Sequence, residues 1–327
     1  MGWGDVAGHG LVKEFLRRAI ASGRLAHALA FIGPAGVGKA ALARVLAQAL
    51  LCRAEGERPC GECGACRRVA KGVHPDVHWV EPEGGSVRIE QVRELQAALA
   101  LKAFEGPVKF AAIDGGDRMT PEAQNCLLKV LEEPPGEAVI VIVAESGAAL
   151  LPTIRSRCQV LRFQPLPAEE VAGLLIERGV DPARARLIAA VTEGRPGAAL
   201  AAADSDLLEL RDRVAGWVES LSAPDGPRWV IRIGQSLEEG RDKADEVLSL
   251  FLLWLKDLVA VREGVPGAVA NQDAMDRLSR QASRTETSRL AAAMRAVDLA
   301  RRRLRASGNF RLTIDAMLAD VQRSLAS

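Results

Sequence analysis

Gly33-Pro34-Ala35-Gly36-Val37-Gly38-Lys39-Ala40 follows directly on a short apolar run at 29–32 and opens a helix-patterned segment at 40–51. Strand, glycine loop, lysine and helix in that order are the context of a phosphate-binding loop. The glycines let backbone N–H groups wrap the phosphates, the lysine neutralises their charge, and the helix N-terminus adds its own positive end. In the full motif a Ser or Thr follows the lysine and helps to hold magnesium. Ala40 has no hydroxyl, so the loop is expected to cradle the phosphates of ATP or ADP better than it hydrolyses them.

Outward from this loop, residues 11–164 alternate helix-like segments with β-rich apolar runs at 29–32, 77–80, 108–113, 139–143 and 160–163. Strands alternating with helices predict a parallel sheet covered on both faces. The strand pattern stops at Gln164-Pro165-Leu166-Pro167, and two short helices are expected at 168–178 and 182–192, the second entered through Asp181-Pro182 as N-cap and first turn. Beyond about residue 203 apolar residues recur at helical spacing, as in Leu207, Leu210, Val214, Trp217 and Leu221, then Leu248, Phe251, Leu252 and Leu255. The fold class is therefore α/β plus all-α, with loops expected at 223–227 and 264–267.

The chain has 327 residues, 48% of them hydrophobic and 26% charged, which suits a well-cored globular protein rather than a disordered one. A formal net charge of +1 gives no overall drive toward nucleic acid, so any such role is local or indirect. Residues 1–5 show no secretory pattern, and the longest apolar run, 247–261, is short for a membrane span and is broken by Lys256 and Asp257. A cytoplasmic location is the expectation.

Four of the six cysteines, Cys52, Cys60, Cys63 and Cys66, form C-x7-C-x2-C-x2-C, with Gly61 and Gly64 each directly after a cysteine. Four thiolates at this spacing suit a tetrahedral Zn2+, and a full thiolate set leaves no open position, so the metal would be structural. Cys126 and Cys158 stand alone in apolar contexts, and His74 and His78 are read as surface or packing residues rather than further ligands.

The run 108–113 ends in Asp114-Gly115, where a nucleotide hydrolase of this architecture places a magnesium-binding Asp followed by a catalytic Glu. Gly115 leaves no base to orient water. Farther on, Leu151-Pro152-Thr153-Ile154-Arg155-Ser156-Arg157-Cys158 puts Arg157 at the rim of the sheet, either as a surface ion-pair partner or as a guanidinium reaching a neighbouring subunit's γ-phosphate. Glu132-Glu133 is read as a helix end before Pro134-Pro135, not as an acid–base pair, and Trp217, Trp229 and Trp254 as core or interface residues.

These motifs resemble the delta prime subunits of the bacterial DNA polymerase III clamp loader, within the AAA+ class. The resemblance rests on Gly23-Arg24-Leu25-Ala26-His27-Ala28, the cysteine cluster, the block from Met119-Thr120-Pro121-Glu122-Ala123-Gln124-Asn125 through Leu131-Glu132-Glu133-Pro134-Pro135, the segment ending Ser156-Arg157-Cys158, and Asn309-Phe310-Arg311-Leu312. It implies an AAA+ nucleotide-binding-like domain with a zinc module at 1–165, a helical lid at 166–208 and a helical collar for oligomerisation at 209–327. It further implies a non-motor subunit of the DNA polymerase III holoenzyme, acting in DNA replication without carrying the polymerase activity. Arg157 would act in trans as an arginine finger on ATP held by a neighbouring gamma or tau subunit. The partners implied are those ATPases and delta in a five-membered ring, with the sliding clamp and primed DNA reached through the complex.

The gamma and tau subunits resemble the same blocks, but there a hydroxyl follows the loop lysine, an acid follows the strand-end Asp and an arginine stands in the lid. This chain has Ala40, Gly115 and, with Gly194 through Leu200 aligned on its first glycine and final leucine, Gly197. An ATP-hydrolysing gamma/tau-type subunit is one alternative. A zinc-dependent nucleic-acid-binding module is another, although only Arg67, Arg68 and Lys71 follow the cysteines and no aromatic cluster adjoins them.

Overall fold

Five short apolar runs become five strands, and every pairing between them is parallel. The computed structural model describes residues 2–134, 136–203, 205–306 and 308–326. The strands are β1 (Ala28–Ile32), β2 (Val77–Val80), β3 (Lys109–Asp114), β4 (Ala138–Ala144) and β5 (Gln159–Arg162). They lie in the order β2-β3-β4-β1-β5. The chain leaves β1 for the far edge, returns through β3 and β4 to the strand beside β1, and places β5 on its other side. This order makes β1 the place where the winding reverses, at whose carboxyl end open α/β sheets bind ligands.

The helices interleaved with these strands are α1 (Gly10–Ala21), α2 (Lys39–Leu51), α3 (Gly64–Ala70), α4 (Ile89–Ala100), α5 (Pro121–Glu132) and α6 (Pro152–Arg155). Alternation along the central strands divides the core in two. Leu29 and Phe31 of β1 with Val139, Val141 and Val143 of β4 pack against Leu42, Val45 and Leu46 of α2. Ala28, Ala30 and Ile32 with Ile140 and Ile142 pack against Val92, Leu95 and Leu99 of α4 and Leu127 of α5. A strand buried on both faces must be apolar at every position, as β1 and β4 are, because their helices cover both sides. At α5, Thr120 caps the helix by accepting from the Ala123 N–H at 3.2 Å, and Pro121 fills the first turn, where no N–H is needed. Pro135, the second proline expected to close that helix, lies outside the described residues.

The remaining helices are α7 (Ala168–Ile176), α8 (Pro182–Val191), α9 (Pro196–Ala202), α10 (Leu207–Ser222), α11 (Gly226–Glu239), α12 (Ala244–Arg262), α13 (Met275–Ala282), α14 (Thr287–Arg305) and α15 (Phe310–Leu325). Asp181 caps α8 as its Asp-Pro pair predicts, accepting from Ala183 and Arg184 N–H at 2.9 and 3.1 Å. Two compact units result, one of residues up to Leu166 with Arg195–Gly197, the other of Pro167–Gly194 with the chain from Ala198 onward.

In the second unit α12 is the central helix, packed by α10, α13, α14 and α8. Its Trp254 is buried and donates Nε1–H to Gln281 Oε1 at 2.7 Å. Asp257, the charge that interrupts the long apolar run, is buried too. It accepts from the Ala270 and Asn271 N–H groups and from Asn271 Nδ2, so a loop docks on a side chain that would otherwise carry a heavy desolvation cost. The loop expected at 223–227 is shorter than expected: α11 begins at Gly226 with Pro227 in its first turn, the helical position at which proline's missing N–H costs nothing. No described helix is long and apolar enough to cross a membrane.

Phe31 is fully buried, its ring 5.1 Å from that of Phe163. Phe31→Ala should lower the unfolding free energy of the first unit by about 3–5 kcal/mol. Denaturant titration followed by circular dichroism reads this as a lower midpoint.

Candidate functional site

The phosphate loop is built by close backbone approach. Gly33 lies so near the end of β5 that a Cβ there would meet Phe163 O at 2.3 Å, and Gly38 enters α2 with φ 106°. No other residue type meets both demands without strain. Lys39 is buried, and its Nζ donates to Gly33 O at 2.5 Å and Pro34 O at 2.7 Å. Burial pulls its pKa down, while Glu145, Asp114 and Asp117 act in the opposite direction and favour the ammonium. A cavity of about 530 Å3 opens over the loop, lined by Gly36, Lys39, Ala40, Asp114, Asp117 and Glu145 among others. Pro34, Ala35 and Val37 complete the turn, with Val37 buried against the α2 face of the core.

The geometry resists a side chain at two of the positions where the sequence departs from a hydrolase, strongly at Gly115 and by crowding at Gly197. Gly115 has φ 107°, and a Cβ there would meet Pro82 Cγ at 2.7 Å, so a glutamate does not fit this backbone. Gly197, in the segment belonging to the first unit, donates its N–H to Gly36 O at 2.8 Å, and a Cβ would stand 3.0 Å from that oxygen. Only Ala40, half-buried at the start of α2, has a side-chain position that could simply be changed. Asp114 survives at the end of β3, and burial, with Glu81 nearby, holds its carboxyl above the usual range against the pull of Lys39.

The cysteine sulfurs of Cys52, Cys60, Cys63 and Cys66 lie within 4.8 Å of one another, unbridged, with Cys60 and Cys66 at 3.9 Å. A tetrahedral ion with bonds of about 2.3 Å needs sulfurs roughly 3.8 Å apart. Successive N–H groups point at sulfur: Cys60 to Cys52 at 3.4 Å, Cys63 to Cys60 at 3.3 Å and Cys66 to Cys63 at 3.5 Å. Burial opposes ionisation of Cys63, yet backbone N–H groups and neighbouring thiols bring its pKa to about 6, whereas burial pushes Cys66 up to about 12. Backbone N–H groups at Cys63 and Glu62 likewise lower the Cys60 pKa, so the cluster's own backbone favours thiolate on two of its sulfurs.

The cluster is tied to the rest of the first unit by polar bridges that sequence reasoning missed. Gln48 of α2 donates to Cys66 O, and Trp3 Nε1 to Arg58 O. Arg53 and Arg68 both reach Glu105, at 3.1 and 2.5 Å, and His74 Nε2 stands 3.3 Å from it, off the line of a hydrogen bond. His74 is buried and His78 half-buried, with burial lowering both pKa values, and neither joins the cysteines. Asp76 accepts from the N–H groups of Phe104, Glu105 and Gly106 and holds the loop that presents Glu105.

Arg157 is exposed in the turn between α6 and β5. Its Nη1 donates to Thr153 O at 3.0 Å and its Nη2 pairs with Glu132 Oε1 at 2.5 Å. Because β5 runs parallel to β1, the turn before β5 emerges at the end of the strands opposite the turn after β1. The four paired residues of β5 alone separate those ends by roughly 13 Å. Arg157 therefore does not face its own chain's phosphate loop. Gln124, a residue whose part the motif block did not disclose, anchors the loop that leads into α6: it is buried in α5, accepts from Leu151 N–H at 2.8 Å and donates to Ala149 O at 3.1 Å.

Fold and site together define a phosphate-loop domain with a parallel sheet and an embedded tetracysteine cluster, followed in the chain by a helical unit. The sequence pattern described as DNA polymerase III, delta subunit matches residues 8–167, and the pattern for the C-terminal region of the delta subunit matches 232–323. The chain is 32% identical to DNA polymerase III subunit delta' of Bacillus subtilis over 300 residues, 91% of each chain. It is 31% identical to the Escherichia coli delta' subunit over 284 residues, 85% of this chain and 83% of that one. It is also 31% identical to a gamma/tau subunit of Mycobacterium bovis over 320 residues, which span 86% of this chain but 54% of that one. The chain belongs to the DNA polymerase III delta' family.

Restoring the missing hydroxyl should not restore turnover. Ala40→Thr is expected to leave steady-state ATP hydrolysis by the isolated chain at background, because no carboxylate follows Asp114. A coupled phosphate-release assay checks this, and turnover above the wild-type blank counts against the geometric closure at Gly115.

Proposed function

We propose that this chain is the non-motor, stator subunit of a bacterial replicative clamp loader, and that it lends Arg157 in trans to ATP bound by an adjacent gamma/tau-type ATPase. The observation that carries the reading is the placement of Arg157: an exposed guanidinium at the end of the strands opposite its own phosphate loop, in a chain whose own loop lacks both a metal-holding hydroxyl and a catalytic carboxylate. A planar, permanently charged group suits the charge that develops on a transferring γ-phosphoryl. The phosphate loop of this chain binds ATP or ADP without turning it over, as its complete glycine frame and Lys39 support.

In this reading residues 1–165 form the nucleotide-binding-like domain, 166–208 a lid and 209–327 a collar that joins neighbouring subunits. The partners are the gamma/tau ATPases and delta, with the sliding clamp and primed DNA engaged through the assembly in the cytoplasm. Substituting Arg157→Ala and measuring clamp-stimulated ATP hydrolysis by the reconstituted ring tests the role. Turnover should fall by the share of the site it completes, with ring assembly intact by size-exclusion chromatography. Unchanged turnover would remove the finger.

The cysteine cluster takes one structural Zn2+ per chain, held by Cys52, Cys60, Cys63 and Cys66. All four ligand positions are filled by protein, so the ion supplies folding energy and no chemistry. Cys63→Ser should abolish stoichiometric zinc in elemental analysis and lower the melting temperature, and a chelator should give the wild type a similar loss. Metal content that stays at one ion per chain after the substitution contradicts this ligand set.

A further inference from the structure

The exposed arginine is already occupied. Glu132 Oε1 takes Nη2 of Arg157 at 2.5 Å and the carbonyl of Thr153 takes Nη1 at 3.0 Å, so both terminal nitrogens of the guanidinium are bound within its own chain. Of its five N–H donors, one on each terminal nitrogen is engaged within the chain, so a phosphate must draw the guanidinium off these partners to use both nitrogens in full. The arrangement is also rigidly based. Glu132 is the last residue of α5, and Arg157 follows α6, which α5 contacts directly. Buried Gln124 of α5 fixes the loop before α6 from one side, accepting from Leu151 N–H and donating to Ala149 O. The two ends of the ion pair are thus anchored to one framework, while the pair itself is half-exposed, at 35% for Arg157 and 49% for Glu132.

We infer that Glu132 is a positioning residue, a latch that parks Arg157 against its own chain until a neighbour's nucleotide draws it away. The inference rests on the trans role argued above and adds a regulation of that same group. The latch is weak enough to yield, because an exposed pair in high dielectric is salt-screened, whereas several phosphate oxygens offer the same guanidinium a larger opposite charge. A neighbour without a triphosphate in reach leaves the finger parked. A neighbour that presents one competes with Glu132 for it, so the group divides between latch and seam and crosses the seam only toward a loaded partner.

The test is steady-state ATP turnover by the reconstituted ring carrying wild type, Glu132→Gln, Glu132→Asp, Arg157→Ala or the Glu132→Gln/Arg157→Ala pair, with kcat and KM separated. Releasing the latch frees a group that acts on developing charge, so Glu132→Gln should raise kcat by about 1.5- to 5-fold, the population change that loss of one exposed ion pair corresponds to, with KM unchanged. Glu132→Asp should return toward wild type. The gain should shrink toward unity as salt rises, and it should vanish in the Arg157→Ala background. A purely structural role for Glu132 would not produce a salt-dependent gain that needs Arg157. An unchanged or lower kcat for Glu132→Gln, beside a clear loss for Arg157→Ala, overturns the latch and leaves the finger standing. No loss for Arg157→Ala overturns the finger and the latch with it.

Discussion

Parallel strand polarity is the constraint from which the functional geometry follows. When every strand points the same way, whatever precedes a strand and whatever follows one emerge at opposite ends of the strands. The phosphate loop follows β1, and the turn bearing Arg157 precedes β5, its immediate neighbour in the sheet. Adjacent strands therefore hold the two charged groups apart more firmly than a flexible connection would. Burial of both faces of β1 and β4 fixes the register, since a slip by one residue would exchange the residues facing α2 with those facing α4 and α5.

Much of this was readable from residue order. The runs at 77–80, 108–113 and 139–143 lie on β2, β3 and β4 with end shifts of one residue at most, and the glycine frame with Lys39 stands where β1 gives way to α2. Apolar continuity and punctuation by glycine and proline are local signals, which is why they translate. The Asp-Pro entry to α8 translated for the same reason. The loop expected at 223–227 did not, because glycine and proline serve a helix's first turn as readily as a bend, and only the packing of α11 against α15 decides between them.

What stayed hidden is long-range and polar. Glu105 gives no sign in sequence that it gathers Arg53, Arg68 and His74, which come from segments thirty to fifty positions away. Its neighbours Phe104 and Gly106 are held with it by Asp76, so the cysteine module is secured to the β2–β3 region through a carboxylate that no metal-ligand motif predicts. Gln124 was equally silent, since a glutamine inside a helix is ordinary until its two bridging hydrogen bonds are seen. The pairing of Glu132 with Arg157 likewise depends on α5 and α6 meeting in space. A helix-ending glutamate was legible; its partner was not.

The backbone at Gly115 sets what a designer could change. Where a site departs by one exchanged side chain, as at Ala40, one substitution would return the group. A left-handed turn wedged beneath Pro82 offers no such return, because an acid at that position demands prior rebuilding of both the turn and the proline that roofs it.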